Sequence, residues 1–543
     1  TWNGSWTNGP PTIDTLVIIN ANYNTTTNSS FSACSVVVNT PYTLTITADE
    51  YVEIQNDLTN NGTVNIKNSG SLIQVNDSGV NTGNIRYERT TPLVTNTDYT
   101  YWASPVAGYT LGGVSQNLTV ADKYYSFNST IEDWEQASAS TIMYPGIGYI
   151  IRGPEPTGSN PPAIDNFDAF FIGVPNNGAY PISGLVVDKS YLLGNPYPSA
   201  LDADTFLDDN AGVLNGTLYF WTHNTPLDLA ANISNPGPNW AYAYSFDDYA
   251  AYNITGGVGI DPGTLTESAP SDPAHSVSGN DLGKKPTGKI ASGQGFFATT
   301  KAALSGSAIQ FNNSMRVGVV DILKEDNSQF FKTRNPKTKT TTFEKHRIWL
   351  NLTNTQGVFK QTLVGYITDA TNEYDSRFDG ESFDANEFVD FYSINQEKNL
   401  VIQGRALPFG ENDQVPLGFR TTITGAFTIK IDQADGVLTN QAVFIEDKLT
   451  NTIFDLRSGP FTFNTVAGTF NDRFVLRYTN KTLGTIDLET LENQVLVSNK
   501  NKQIKINSKA VTIDKVMVYD LLGRLLFKKD KVNSNEFSVL NLI

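Results

Sequence analysis

The chain has 543 residues, and its 38 Lys and Arg against 55 Asp and Glu give a formal net charge of −17. At about 100–200 residues per domain that length holds several cores, and the acidic balance argues against general binding to nucleic acid or anionic lipid. One Cys excludes an internal disulfide, a Cys-rich zinc site or an iron–sulfur cluster, three His leave little for a zinc enzyme, and no apolar run is long enough for a membrane helix.

Only 17 % of residues are charged, while Gly and Pro number 43 and 25 and 11 % of residues are aromatic. Abundant Asn and Asp favour turns, and Thr, Tyr and Phe suit a half-buried pleated surface. These features predict an all-β, multi-domain chain. The first residue is Thr1 rather than Met, the expectation for a processed form or a fragment whose export signal has been removed.

Residues 1–95 read as short β runs at 16–19, 36–38, 44–46, 52–54, 64–66 and 72–75, with Gly62, Gly70 and Gly79 between the later ones. The spacing fits meandering hairpins or the rungs of a β-solenoid. We take the solenoid, with Val64, Ile66 and Leu72 inside and Asn at the corners. The segment resembles exported surface proteins that contain right-handed β-helices. Cys34, between Ala33 and Ser35, reads as a buried small hydrophobe. Asp14-Thr15-Leu16 resembles the acceptor of periplasmic O-glycosylation.

Residues 96–320 read as a large β-sandwich with long loops, and they hold 20 acidic and 8 basic residues, most of the net deficit. The one helix expected is 203–210, with Asp202 as its N-cap. From Ser190 to Gly283 there is no Lys or Arg but eleven carboxylates. Calcium takes six to eight oxygen ligands, and Asp202, Asp204, Asp208 and Asp209 form the best candidate cluster. Asp247 with Asp248, and Asp369 with Asp375 and Asp379, are further candidates. None matches an EF-hand loop, and helix capping or solvated turns explain the same residues. Aromatic residues crowd the same interval. Trp221, Trp240 and Tyr242 are candidates for stacking on glycans, and Tyr242, Tyr244 and Phe246 would share one strand face, which a protein core also requires.

Residues 321–345 are basic and poor in apolar residues, and read as a linker or loop. A second β-sandwich follows at 346–485, with strands expected at 348–352, 361–367, 419–424, 427–431, 442–447, 453–456 and 473–478. Residues 486–543 differ in character: 9 basic against 7 acidic residues, and a strand–turn–strand pattern through Lys515-Val-Met-Val-Tyr-Asp-Leu-Leu-Gly-Arg-Leu-Leu-Phe-Lys528.

That final hairpin resembles the type A C-terminal sorting domain of type IX secretion substrates. The matching residues are Val516, Val518, Tyr519, Asp520, Gly523 and Arg524, followed by apolar Leu525-Leu526-Phe527. Family members normally continue through further strands to a basic end, whereas this chain stops at Leu540-Asn-Leu-Ile543, so the module reads as incomplete. The resemblance implies a Gram-negative protein sent to the cell surface. Its tail would bind the outer-membrane shuttle and translocon and then be clipped.

Catalytic signals are poor. A G-x-S-x-G elbow is missing, and His223 near Asp228 is only a loop pairing. The expectation is a non-catalytic, adhesin-like or structural surface protein, with surface glycans as partners, no nucleic acid, and calcium as the only cofactor considered. The alternative is a secreted carbohydrate-active enzyme, either a glycoside hydrolase or a polysaccharide lyase.

Overall fold

The computed structural model describes the chain except at residues 95, 97, 156–164, 223–227, 230–241, 244–247, 261–284, 319–342, 356–357, 383–385, 387, 481–494, 501–502, 509–511, 521 and 541–543. The fold is all-β, and it forms two compact units, Thr1–Thr479 and Asn480–Ile543.

The first unit opens with a β-solenoid built from three parallel ladders. Leu16–Ile19, Ser35–Val38, Leu58–Asn60 and Asn81–Thr82 make one side. Tyr23–Asn24, Thr43–Ile46, Thr63–Ile66 and Ile85–Val94 make the second, and Phe31–Ala33, Tyr51–Ile54 and Ser71–Gln74 the third. Alternate residues point inward, so Val17, Ile19, Val36, Val38, Leu44, Ile46, Val64, Ile66 and Leu72 stack in a dry core. One coil runs from Leu44 to Val64, and the next from Val64 to Ile85. Gly62, Gly70 and Gly79 therefore mark successive corners of a single coil, not successive coils. Their spacing measures one side of the triangle.

Corner stacking explains the glycines and asparagines. A Cβ at Gly62 would lie 2.4 Å from the Tyr42 carbonyl oxygen, and one at Gly79 the same distance from that of Asn56. Asn39 Nδ2 donates to Asn20 Oδ1 at 2.8 Å and Asn76 Nδ2 to Asn56 Oδ1 at 2.9 Å, linking corner to corner. Cys34 lies at such a corner and is only half-buried, its Sγ accepting from Asn56 Nδ2 at 3.3 Å. The expected buried hydrophobe is thus a corner residue.

Residues 1–6 pack on the first coil. The Trp2 amide donates to the Ile18 carbonyl, and Trp2 and Trp6 pack on Tyr23 and Phe31 at centroid distances of 4.8–5.6 Å. At the other end, the strand Ile85–Val94 pairs antiparallel with Asp165–Gly173, and the solenoid core runs on into Trp102, Tyr149, Ile151 and Phe171.

Two sheets follow. Tyr99–Trp102, Tyr149–Arg152, Tyr124–Asn128 and Asp133–Ala137 form one; Ser190–Gly194, Gly295–Thr300, Leu214–Trp221, Tyr249–Asn253 and Gly256–Val258 form the other. In the five-stranded sheet, Leu193, Leu218, Phe220, Phe296 and Ala298 pack with Phe206 and Leu207 of the helix Ala203–Asp209. Tyr219 and Ala251 pack instead on Trp349, Leu363 and Ile402. Burial on both faces accounts for the unbroken run Leu-Tyr-Phe-Trp at 218–221.

Arg316 is fully buried where the solenoid meets these sheets. Its guanidinium donates to the Ser199 hydroxyl at 2.9 Å and to the Leu72 carbonyl, and lies over the Tyr197 ring. Burial draws its pKa down to about 10.

The rest of the first unit is one curled sheet, extending from Thr452–Asp455 at one edge to Phe461–Thr465 at the other. One internal pair, Phe359–Ile367 with Lys398–Ala406, is parallel. The sheet doubles back on itself, because Phe463 on one edge strand packs 4.7 Å from Phe474 on Gly468–Arg477. The expected linker 321–345 lies mostly outside the described residues, and Lys345 already begins the strand Lys345–Asn354.

The second unit pairs Val495–Lys500 and Glu536–Leu540 with the two edges of Gln503–Ser508. Ile513–Tyr519 and Leu525–Ser534 form a hairpin, and Ile506, Val516 and Val539 are the buried centre.

Candidate functional site

The acidic cluster sits on the helix Ala203–Asp209, and its four carboxylates have separate partners. Asp202 caps the helix, Oδ1 accepting from the Thr205 amide at 2.9 Å, while Oδ2 lies 2.7 Å from Lys289 Nζ. Asp204 accepts from the Tyr252 hydroxyl at 2.6 Å and faces Lys345 Nζ at 3.3 Å. Asp208 pairs with Arg377, whose Nε lies 3.0 Å away. Asp209 is exposed and accepts from Asn312 Nδ2 at 3.3 Å. Among the described residues no group of three or more His, Cys, Asp or Glu is placed to hold a metal ion. Asp202, Asp204 and Asp208 are thus paired with cations from outside the stretch that lacks Lys and Arg.

The third acidic group is dispersed around a turn. Asp379 is buried and accepts from the Asp375 amide at 2.7 Å and the Gly404 amide at 2.9 Å. Burial outweighs those bonds and pushes its carboxyl up to about 7. Asp369 has a left-handed backbone, φ 69°. Asp248 is buried, and Asp247 lies outside the described residues.

Of the glycan candidates, Trp221 is half-buried in an aromatic cluster that bridges the two central sheets. Its ring lies parallel to Tyr101, with 3° between planes and centroids 5.7 Å apart. Phe127, Trp134, Tyr249 and Phe297, all partly exposed, complete the cluster. Sequence reasoning missed Tyr101, Phe127 and Trp134, since only the sheet pairing brings them to Trp221. Trp240, Tyr244, Phe246 and His223 lie outside the described residues. Tyr242 belongs to the two-residue strand Tyr242–Ala243, which pairs with Asp228–Leu229.

The hairpin residues at 516–524 do come together. Val516 is buried and Val518 partly so, whereas Tyr519 points outward. Asp520 organises the turn: Oδ1 accepts from the amides of Leu522 at 2.9 Å and Arg524 at 2.8 Å, and Oδ2 meets Arg524 Nε at 2.7 Å. The Arg524 bonds hold the Asp520 carboxyl below the usual range. Gly523 supplies the left-handed step, φ 78°, that closes the loop.

A family model described as a domain of unknown function (DUF8693) matches residues 1–478, so the chain belongs to that family. A second, also described as a domain of unknown function (DUF8694), matches residues 483–543. No curated protein and no solved structure matches the chain.

Proposed function

We propose that the protein is a cell-surface component exported by type IX secretion, with the second unit as its sorting module and the first unit as an adhesin-like or structural body. The observation that carries this reading is the Asp520–Arg524 turn. The residues shared with type A sorting domains are those that shape the loop and anchor its hairpin, so their recurrence has a structural cause and leaves Tyr519, Leu522 and Arg524 outward for a receptor. The separate compactness of 480–543, and the change of family model between 478 and 483, further support a module that is read independently of its cargo. Deleting 487–543 in the host tests it. The truncated protein should accumulate in the periplasm, and normal surface display of the truncation would refute the assignment.

For the body we propose glycan binding at the half-exposed rings around Trp221, since aromatic faces stack on the C–H faces of sugars. A glycan array with wild type and Trp221→Ala tests this. Binding lost in the variant supports it, and soluble oligosaccharide release by the wild type would favour an enzyme instead.

A further inference from the structure

Leu201–Asp202 and Lys289–Ile290 form a short antiparallel ladder in which Asp202 stands directly opposite Lys289. The two side chains meet there, with Lys289 Nζ 2.7 Å from Asp202 Oδ2 and only 10 % and 3 % of them exposed. The two carboxylate oxygens have different surroundings. Oδ2 faces the amine, whereas Oδ1 accepts from both the Thr205 amide at 2.9 Å and the Thr205 hydroxyl at 3.0 Å. Beside them lies a second buried carboxylate, Asp204, bonded to the Tyr252 hydroxyl. A Cβ on Gly288, next in the chain to Lys289, would come within 2.3 Å of that hydroxyl.

We propose that Lys289 and Asp202 are joined by an intramolecular isopeptide bond that forms autocatalytically once the strands pair. Stripping water from two opposite charges is costly, and condensation replaces them with one neutral amide. Lys289 Nζ passes a proton to Asp202 Oδ2 across their 2.7 Å contact, and the resulting amine attacks Cγ of the neutral carboxyl. The two Thr205 donors polarise Cγ and hold the negative charge that develops on Oδ1. Oδ2 leaves as water with two of the three hydrogens of the ammonium, so atoms and charge balance and no redox partner is needed. The second proton passes from the attacking nitrogen to the leaving Oδ2 across the same contact. Oδ1 becomes the amide oxygen and keeps its place as the helix cap, and the new bond ties residue 202 to residue 289.

Intact-mass spectrometry of the folded full chain tests the proposal. The wild type should weigh about 18 Da less than its sequence, the loss of one water, and a tryptic digest should contain a branched peptide linking Lys289 to Asp202. Lys289→Arg should restore the full mass. Asp202→Asn should lose about 17 Da, because ammonia leaves in place of water. A wild-type mass equal to the sequence with a linear digest overturns the proposal, and so does a loss that persists in Lys289→Arg. Should either variant at these positions fail to fold, the wild-type digest decides alone.

Discussion

Lys345 Nζ lies 3.3 Å from Asp204 Oδ2, across 141 residues of chain. The amine comes from the first strand of the curled sheet and the carboxylate from the central helix, so the pair fastens two layers. Both side chains are nearly buried, which means that removing the cation leaves a charge with poor access to water. Lys345→Met should cost about 3 kcal/mol, the usual penalty for breaking a buried pair from one side. A urea titration checks it. Asp204→Asn in the same background should recover part of the loss, and strict additivity of the two changes would show that they do not interact.

Asp379 makes stability depend on pH with an unusual sign. Its folded pKa of about 7 lies above the ordinary aspartate value of 3.8. Between roughly pH 4 and 7 the folded state therefore holds a proton that the unfolded chain has released. Stability from this group is full below that window, falls as pH rises through it, and is level above it, a loss on the order of a few kcal/mol. Asp379→Asn removes the titration but leaves one backbone amide without its carboxylate oxygen. Melting curves at several pH values should show the variant gaining on the wild type from pH 4 to 7. Parallel curves would refute the assignment.

Trp2 packs on the first coil, and its removal should open that coil without unfolding the rest. Large aromatic to Ala changes in a core cost about 3–5 kcal/mol, and Trp2 is buried against Trp6 and Tyr23. For Trp2→Ala, hydrogen exchange should quicken at the amides of 16–20 and stay slow at the strand Thr63–Ile66. Equal acceleration in both would mean that the solenoid unfolds as one block.

What the sequence disclosed, and what it hid, follows from the range of the interactions. Alternation at Val64 and Ile66 exposed the solenoid, and Asp202 before an apolar helical turn exposed the cap, because both are local patterns. The acidic stretch was less legible for the opposite reason. The cations that pair with Asp202, Asp204 and Asp208, namely Lys289, Lys345 and Arg377, lie outside the stretch itself. The aromatic cluster shows the same limit, since Tyr101 reaches Trp221 only through tertiary packing. The glycines at 62, 70 and 79 announced a repeat, but its period became clear only when parallel pairing showed that one coil has three sides.

The turn at the end of the chain offers a direct link between local shape and sorting. Gly523 has φ 78° and open space around the position of a Cβ, so an alanine there meets no clash and bears only the backbone penalty. That penalty is about 1 kcal/mol, too small to unfold the hairpin but enough to loosen a loop held by Asp520 and Arg524. If a receptor reads the shape of this loop, Gly523→Ala should lower surface display while the protein remains folded. Asp520→Ala, which removes the oxygen that accepts from both amides and breaks the ion pair, should lower it further. Hydrogen exchange at the Leu522 and Arg524 amides would report the loosening alongside the export assay. Faster exchange with unchanged display would separate the turn from the sorting signal and move attention to the outward faces of Tyr519 and Leu526.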